Sequence, residues 1–275
     1  MKNRINKFLR LCFIFLKRDF LINSSYRYAF LFDLGGIFFS TITFFFIGKL
    51  FGEAAVPYLS DYNADYFSFV LIGIAFSEYL YIALNTFMDA VREEQITGTL
   101  ENILLSPINI PSLVVCGSLW NFLFTSLRIA CYLIIGWLLF AFDISRINYL
   151  SAFVVLMLAI LSFSGLGMLS ASFIIVFKKG DPINFVFSGL SRFLGGVYFP
   201  ITILPLWIIN ISYLLPLTYA LDAMRKAVLN NAGIFALKYD LTGLIIFIAL
   251  LLPLGIFSFK SALRRAKKEG SLLYY

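Results

Sequence analysis

Apolar runs of about 20 residues recur along this chain of 275 residues, and a helix of that length crosses a hydrocarbon layer of about 30 Å. Hydrophobic residues make up 61% of the chain and charged residues only 13%, which is too apolar for one soluble core to hide. The sequence therefore predicts an all-α integral membrane protein with six transmembrane helices. The predicted spans are approximately 28–51, 66–88, 113–142, 150–177, 183–204 and 241–259.

The segment before the first run mixes basic and apolar residues. Lys7, Arg10 and Lys17 alternate with residues such as Phe8 and Phe13, as in a helix that lies along a membrane surface. We therefore predict an N-terminal amphipathic interfacial helix over residues 1–27, with a short basic anchor of irregular structure as the alternative. No small-residue cleavage signal follows the first run, so this segment is expected to stay on the protein.

Lysine and arginine residues near the span ends predict the orientation of the chain. Fifteen of them fall in segments that this topology places inside, whereas Arg146, Arg225, Lys226 and Lys238 fall outside and Lys49 lies at the outer end of the first span. Basic segments resist translocation across the membrane. Both termini are therefore expected in the cytoplasm, on a multi-pass protein of the inner (plasma) membrane.

The apolar segment 183–220 is about twice as long as one span and is interrupted by Pro200, Pro205 and Pro216. If it crossed the membrane twice, the basic tail 260–268 would lie outside, against the charge rule. We therefore predict one crossing, followed by a re-entrant helical hairpin at about 200–220. Irregular backbone at membrane depth needs cover from protein or a water-filled cavity, so this hairpin is predicted to line an entrance or exit.

The composition also excludes several kinds of chemistry. The chain has no His, which removes histidine-based zinc sites, catalytic triads and imidazole proton relays. Cys12, Cys116 and Cys131 show no paired spacing and are expected to be small apolar side chains, not metal ligands or disulfide bridges. The net charge of +7 lies beside the spans, which favours membrane lipid over nucleic acid as a partner.

Four ionisable residues fall within the apolar runs: Asp33, Glu78, Arg128 and Arg192. A charge that faces lipid at mid-depth is unfavourable, so each needs water or a partner. One interpretation is a polar lining of a translocation path that contacts substrate. The other is structural pairing within the membrane, such as Glu78 with Arg128 or Arg192.

Small residues cluster in the fourth and fifth predicted spans, where they form Gly167-xxx-Ala171 and Ser191-xxx-Gly195. This spacing lets the backbones of two helices approach closely. Close helix packing is one interpretation, and a flexible gate is the other.

The loop after the second span, MDAVREEQITGTLENILLSPINIP, is rich in carboxylates. Its acidic residues are Asp89, Glu93, Glu94 and Glu101. An anionic leaflet would repel them, so the loop favours contact with a protein. Gly98 interrupts one helix, Thr99 can cap the next and Pro107 prevents its continuation. The pattern predicts a short helix around Leu100 that lies parallel to the membrane, with a plain surface loop as the alternative.

Two segments resemble a known family. EEQITGTLENILLSP resembles the glutamate-rich Gly-Thr-Leu-Glu stretch of type-2 ABC exporter permeases, and FPITILPLWIINISYLLPLTYALDAMRKAVL is similar to the Pro-rich turn before the last span of that family. The resemblance implies a six-span membrane domain over 28–275, with a coupling helix at about 93–107. It also implies a dimer, expected to be a homodimer, and separate ATP-binding cassette subunits that hold ATP and Mg.

The resemblance assigns roles to particular residues. Contact with the partner ATPase would fall on Glu93, Glu94, Gly98, Thr99, Leu100 and Glu101. An outer gate would fall on Pro200, Pro205, Pro216 and Arg225. The chain lacks a GxxxxGK[ST] phosphate-binding motif, so we expect no ATPase activity and no cofactor in this chain itself.

The sequence leaves other functions open. Asp33 and Glu78 motivate a secondary transporter or channel driven by an ion gradient, although six spans without paired broken helices argue against it. A membrane-embedded lipid enzyme is a third hypothesis, but no acid–base constellation emerges from the spacing. For an exporter the substrate is expected to be amphipathic: a drug, lipid, glycolipid or polysaccharide.

Overall fold

A computed structural model describes residues 2–25, 27–96, 110–177 and 182–268 of the protein. These ranges contain helices and short turns and no β-strand. The helices are α1 (Lys2–Ser25), α2 (Arg27–Ala55), α3 (Tyr66–Ile96), α4 (Ile110–Phe140), α5 (Tyr149–Phe177), α6 (Pro182–Leu194), α7 (Leu206–Ser212), α8 (Pro216–Leu229) and α9 (Lys238–Lys268).

Five of these helices, α2, α3, α4, α5 and α9, are long and apolar enough to cross a membrane. The pair α7 and α8, which is bent by 89°, would make a sixth if it counted as one broken span. The prediction of an all-α protein with several membrane spans is therefore confirmed. The segment before the first span is helical as α1, and its place at a membrane surface stays a prediction.

Helix α5 packs against its neighbours through small residues. A Cβ atom on Gly165 would lie 2.6 Å from the backbone carbon of Leu251 in α9, and one on Gly167 would overlap the carbonyl oxygen of Ala83 in α3. The backbones can approach this closely only because these residues have no side chain. The small residues of α5 therefore serve close packing in the centre of the bundle.

The predicted fifth span, 183–204, is not one continuous helix. Helix α6 stops at Leu194 after about 20 Å, and the backbone then turns through Gly196 at a φ of +79°. This left-handed conformation suits glycine and ends the helix. The sequence interpretation missed this break because the apolar run continues across it.

The chain nevertheless advances along the bundle here. Asn184 in α6 donates a hydrogen bond to Asn85, whereas the carbonyl of Val197 lies beside Gly73. Asn85 and Gly73 are about 18 Å apart along α3 at 1.5 Å per residue. Helix α6 and the turn after it therefore run along about 18 Å of α3, and a single crossing of the membrane in this region stays a prediction.

Helix α1 and the C-terminal part of α9 lie at the same end of the bundle, because Phe8, Val114 and Lys260 line one cavity. We refer to this as the α1 end. Helix α8 lies at the opposite end, which we call the α8 end, where the backbone N–H of Asn148, just before α5, donates to the carbonyl of Ala227 at 2.9 Å.

The structure corrects the interpretation of two cysteines. Cys12 of α1 and Cys116 of α4 are buried and joined as a disulfide, with their Cα atoms 4.5 Å apart, whereas Cys131 is free. The spacing of 104 residues gives no sequence signal, because only the packing of α1 on α4 brings the pair together.

Candidate functional site

Helix α3 is buried over most of its surface, and its open stripe is polar. The stripe carries Glu78, Tyr81, Asn85, Asp89 and Arg92, which are half-buried or exposed. Their spacing of three or four residues places them on one face of the helix. Helices α2 and α4 flank this stripe on one side and α6 on the other, and we call the resulting surface the α3 groove.

A charged cluster lies in the groove at the level of Glu78. The guanidinium of Arg128 lies 2.5 Å from the Asp33 carboxylate and 3.9 Å from that of Glu78. These three side chains come from α4, α2 and α3 and remain about one quarter to one third exposed. They share a cavity of about 240 Å³ with Phe32 and Tyr132. The structure thus brings together three of the four ionisable residues found within the apolar runs.

The fourth, Arg192, projects from the last turn of α6 and is exposed. Its charge is close enough to interact favourably with Glu78, although Arg128 has the stronger effect. Helix α6 buries only Ser191 against the rest of the described chain. One wall of the groove is therefore loosely packed.

A row of aromatic rings runs from the α1 end towards the charged cluster. Phe20 of α1 meets Trp120 at 5.8 Å between ring centroids, Trp120 meets Phe124 at 6.0 Å, and Phe124 meets Phe30 of α2 at 6.4 Å. The guanidinium of Arg128 lies over the Phe124 ring at 5.6 Å. No sequence pattern indicates this row, because its members come from three helices.

Arg225 is the most buried charged group near the α8 end, with 2% of its surface exposed. It donates hydrogen bonds to the carbonyls of Phe69 (3.1 Å) and Val197 (3.0 Å), and its guanidinium lies 3.4 Å from the centre of the Phe69 ring. Gly73 provides the space, since a Cβ atom there would lie 2.6 Å from a guanidinium nitrogen. Arg225 therefore holds α8 and the turn after α6 against α3, and the outer-gate role that the family resemblance implies for it stays a prediction.

A second polar network joins α8 to its surroundings. The hydroxyl of Tyr62 donates to Asp222 at 2.8 Å, and the Lys226 ammonium contacts Asp222 at 2.9 Å and Asp240 at 3.0 Å. Burial, followed by the Asp222 charge, raises the pKa of the Tyr62 hydroxyl well above its ordinary value. Tyr62 therefore remains a hydrogen-bond donor over the physiological pH range.

The three prolines of the predicted hairpin each precede or begin a short element. Pro200 precedes the turn Ile201–Ile203, Pro205 precedes α7, and Pro216 is the first residue of α8. Proline suits these positions because it lacks the N–H that a helix start leaves unpaired. The segment after Gly196 thus forms two short helices near the α8 end.

The predicted coupling helix at about 93–107 lies mostly outside the described residues. Glu93 is exposed in the last turns of α3, towards the α1 end, and Glu94 belongs to the same helix. Gly98, Thr99, Leu100 and Glu101 lie outside the described ranges. Their role in contact with an ATPase stays a prediction.

The bundle of long apolar helices and its polar groove define a multi-pass membrane protein. Residues 10–229 match the model of the family described as ABC-2 type transporter, and the chain belongs to this family. It is therefore a transmembrane permease component of an ABC transporter, a class that works with an ATP-binding partner. No curated protein matches the chain.

Proposed function

We propose that this chain is the membrane subunit of an ATP-driven exporter, that two copies form a homodimer, and that the α3 groove of each copy lines the translocation path between them. The observation that carries the proposal is the polar stripe on a helix that is otherwise buried. A charged or amide side chain that faces lipid is unfavourable. Protein, water or substrate is expected to cover the stripe, and a second copy across the groove would enclose it.

The proposed substrate is amphipathic, because the groove combines two kinds of surface. The aromatic row of Phe20, Trp120 and Phe124 offers apolar ring faces near the α1 end. The cluster around Arg128 offers a guanidinium and two carboxylates further along. A drug, lipid, glycolipid or polysaccharide with both apolar and hydrogen-bonding groups would use both surfaces.

For energy, we propose that a separate ATP-binding cassette subunit docks at the α1 end, where α3 ends near Glu93 and Glu94. Closure of two such subunits on ATP and Mg would move α3 and thereby reshape the groove. This proposal places the α1 end and both termini in the cytoplasm and the protein in the inner membrane. The basic residues counted in the sequence support that orientation.

The decisive experiment reconstitutes the chain in liposomes with the ATP-binding subunit encoded beside it. We expect ATP-dependent movement of members of a panel of amphipathic dyes, lipids and glycolipids. Asn85→Trp would fill the groove and is expected to block movement, whereas Phe153→Trp changes an exposed apolar residue of α5 and should leave it intact. Movement that persists without ATP and collapses with an ion gradient would instead identify a secondary transporter.

Coupling is tested separately with Glu101→Lys. This reversal is expected to reduce ATP-dependent transport at least tenfold while the permease remains folded, because it removes a carboxylate from the proposed ATPase contact. Glu53→Lys, on the exposed C-terminal part of α2, is the matched control. Equal transport by the two variants would reject the role proposed for Glu101.

A further inference from the structure

An apolar cavity of about 260 Å³ lies at the α1 end, between α1, α3, α4, α5 and α9. Its lining residues are Phe8, Phe87, Val114, Val115, Met168, Ile256, Phe259 and Lys260. Phe87 points away from the α3 groove, because it lies two residues after Asn85 and two residues turn a helix by about 200°. The cavity is therefore separate from the proposed path.

The position of Lys260 gives the depth of this cavity. Lys238 begins α9 at the α8 end, and Lys260 lies about 33 Å further along the helix, close to the hydrocarbon thickness of about 30 Å. Lys260 is exposed, whereas Phe259 beside it is buried. With Lys238 placed at one hydrocarbon boundary, the cavity falls just inside the other, and Lys260 is the one cation among its lining residues.

An apolar cavity of this kind does not hold ordered water, which needs polar partners. Lipid acyl chains are the abundant apolar groups at this depth. A lysine at the rim can lay its stem on the apolar wall and extend its ammonium to the headgroup level, where it attracts phosphate. The exposed residues Arg10 and Lys17 of α1 add positive charge at the same end.

We propose that this cavity binds one acyl chain of an anionic phospholipid whose phosphate pairs with Lys260. Phe8 belongs to α1 and Phe259 to α9, so the bound lipid contacts both helices. It thereby adds a contact between α1 and α9 to the Cys12–Cys116 link between α1 and α4, and occupancy of the site responds to the content of anionic lipid in the leaflet. The lining residues of this site are not those of the α3 groove, and lipid binding is measured on the purified chain without substrate or ATP-binding subunit.

The charge requirement is tested by native mass spectrometry of the purified chain with equal amounts of phosphatidylglycerol and phosphatidylcholine that carry the same acyl chains. We expect the wild type to retain phosphatidylglycerol preferentially and Lys260→Gln to lower that preference about fivefold. Lys268→Gln, two turns further along α9 and exposed, should keep it. Equal retention of the two lipids by the wild type, or equal losses in both variants, would overturn the proposal.

The requirement for an acyl chain is tested by substitution of Val115, which lines the cavity on α4. Val115→Phe should fill the cavity and lower the retention of phosphatidylglycerol, and Val115→Leu should lower it less. Leu123→Phe, exposed on the same helix two turns away, should have no effect. Circular dichroism and gel filtration would verify folding of each variant. Unchanged retention in both Val115 variants would mean that only a surface headgroup is held, and this outcome rejects the site.

Discussion

At the scale of single residues, two charged groups within the bundle are stabilised in different ways. The guanidinium of Arg128 forms ion pairs with the carboxylates of Asp33 and Glu78 in a cavity that is open to the groove. Arg225 has no carboxylate in direct contact in the described structure and relies on two carbonyl oxygens and the Phe69 ring. The first arrangement leaves polar groups available to a ligand, whereas the second uses its donors for structure.

The space around Arg225 predicts a strong effect of one methyl group. Gly73→Ala should lower the free energy of unfolding by about 2 kcal/mol, because the added carbon overlaps Val197 and displaces the guanidinium. Gly189→Ala in α6, where no atom lies within 4 Å of the added carbon, should be neutral or stabilising. Thermal unfolding in detergent, followed by circular dichroism, measures both. A Gly73→Ala protein as stable as the Gly189→Ala protein would contradict this packing.

The Arg128 cluster predicts coupling between two residues. Arg128→Gln removes the cation that contacts both carboxylates and should lower the free energy of unfolding. The double variant Arg128→Gln with Asp33→Asn should lose less unfolding free energy than the sum of the losses in the two single variants. After allowance for solvent screening of these partly exposed groups, the coupling should be about 1 kcal/mol. A double-mutant cycle of unfolding in detergent measures it. Strict additivity would show that the contact contributes nothing to stability.

Charged residues within apolar runs can be recognised from the sequence, whereas residues that become important only through contacts with distant helices cannot. Asp33, Glu78 and Arg128 are conspicuous because lipid disfavours them, and the structure places them together. The charge count placed Arg225 outside the membrane without indicating that it is buried, and its burial depends on space left by Gly73 in a distant helix. Cys12 and Cys116 likewise meet only through tertiary packing.

At the scale of elements, the long spans are predictable and the segment between α5 and α9 is less so. Each long span contains an apolar window of 18 residues with at most two charged residues, so hydropathy is sufficient to find it. Between α5 and α9, Gly196 and the prolines break an equally apolar run into short helices. Hydropathy does not detect such breaks, because they depend on backbone conformation.

The docking of α8 predicts a pH dependence. The pKa of the Tyr62 hydroxyl is higher in the folded protein than the ordinary tyrosine value of 10.0. The Tyr62 hydroxyl therefore contributes fully to stability below pH 10.0, and this contribution is lost as the pH rises from 10.0 towards the folded-state pKa. Tyr62→Phe should lower stability by about 1 kcal/mol at neutral pH and reduce the loss of stability as pH rises above 10.0. Exposed Tyr58 supplies the control variant, Tyr58→Phe. Parallel pH curves for the wild type and Tyr62→Phe would refute the assignment.

At the scale of the whole molecule, the two ends of the bundle differ in character. The α8 end is fixed by Arg225 and by the network around Lys226. At the α1 end, helix α1, the end of α3 near Glu93 and the C-terminal part of α9 come together. A partner that docks there, as proposed above, would contact the end of α3 directly.

The open groove predicts how two copies would meet. In a two-fold homodimer, residues beside the symmetry axis meet their own counterparts. Because the proposal places the α3 groove on this axis, Tyr81, on the exposed stripe of α3, should approach its counterpart across the path. In a chain with Cys12, Cys116 and Cys131 changed to Ala, Tyr81→Cys should give a covalent dimer with a short bifunctional maleimide in native membranes. Phe153→Cys, on the exposed face of α5, should remain monomeric. Cross-linking of the Phe153→Cys variant but not of the Tyr81→Cys variant would contradict this arrangement. It would show that the two copies meet at α5 and that water or another protein covers the polar stripe.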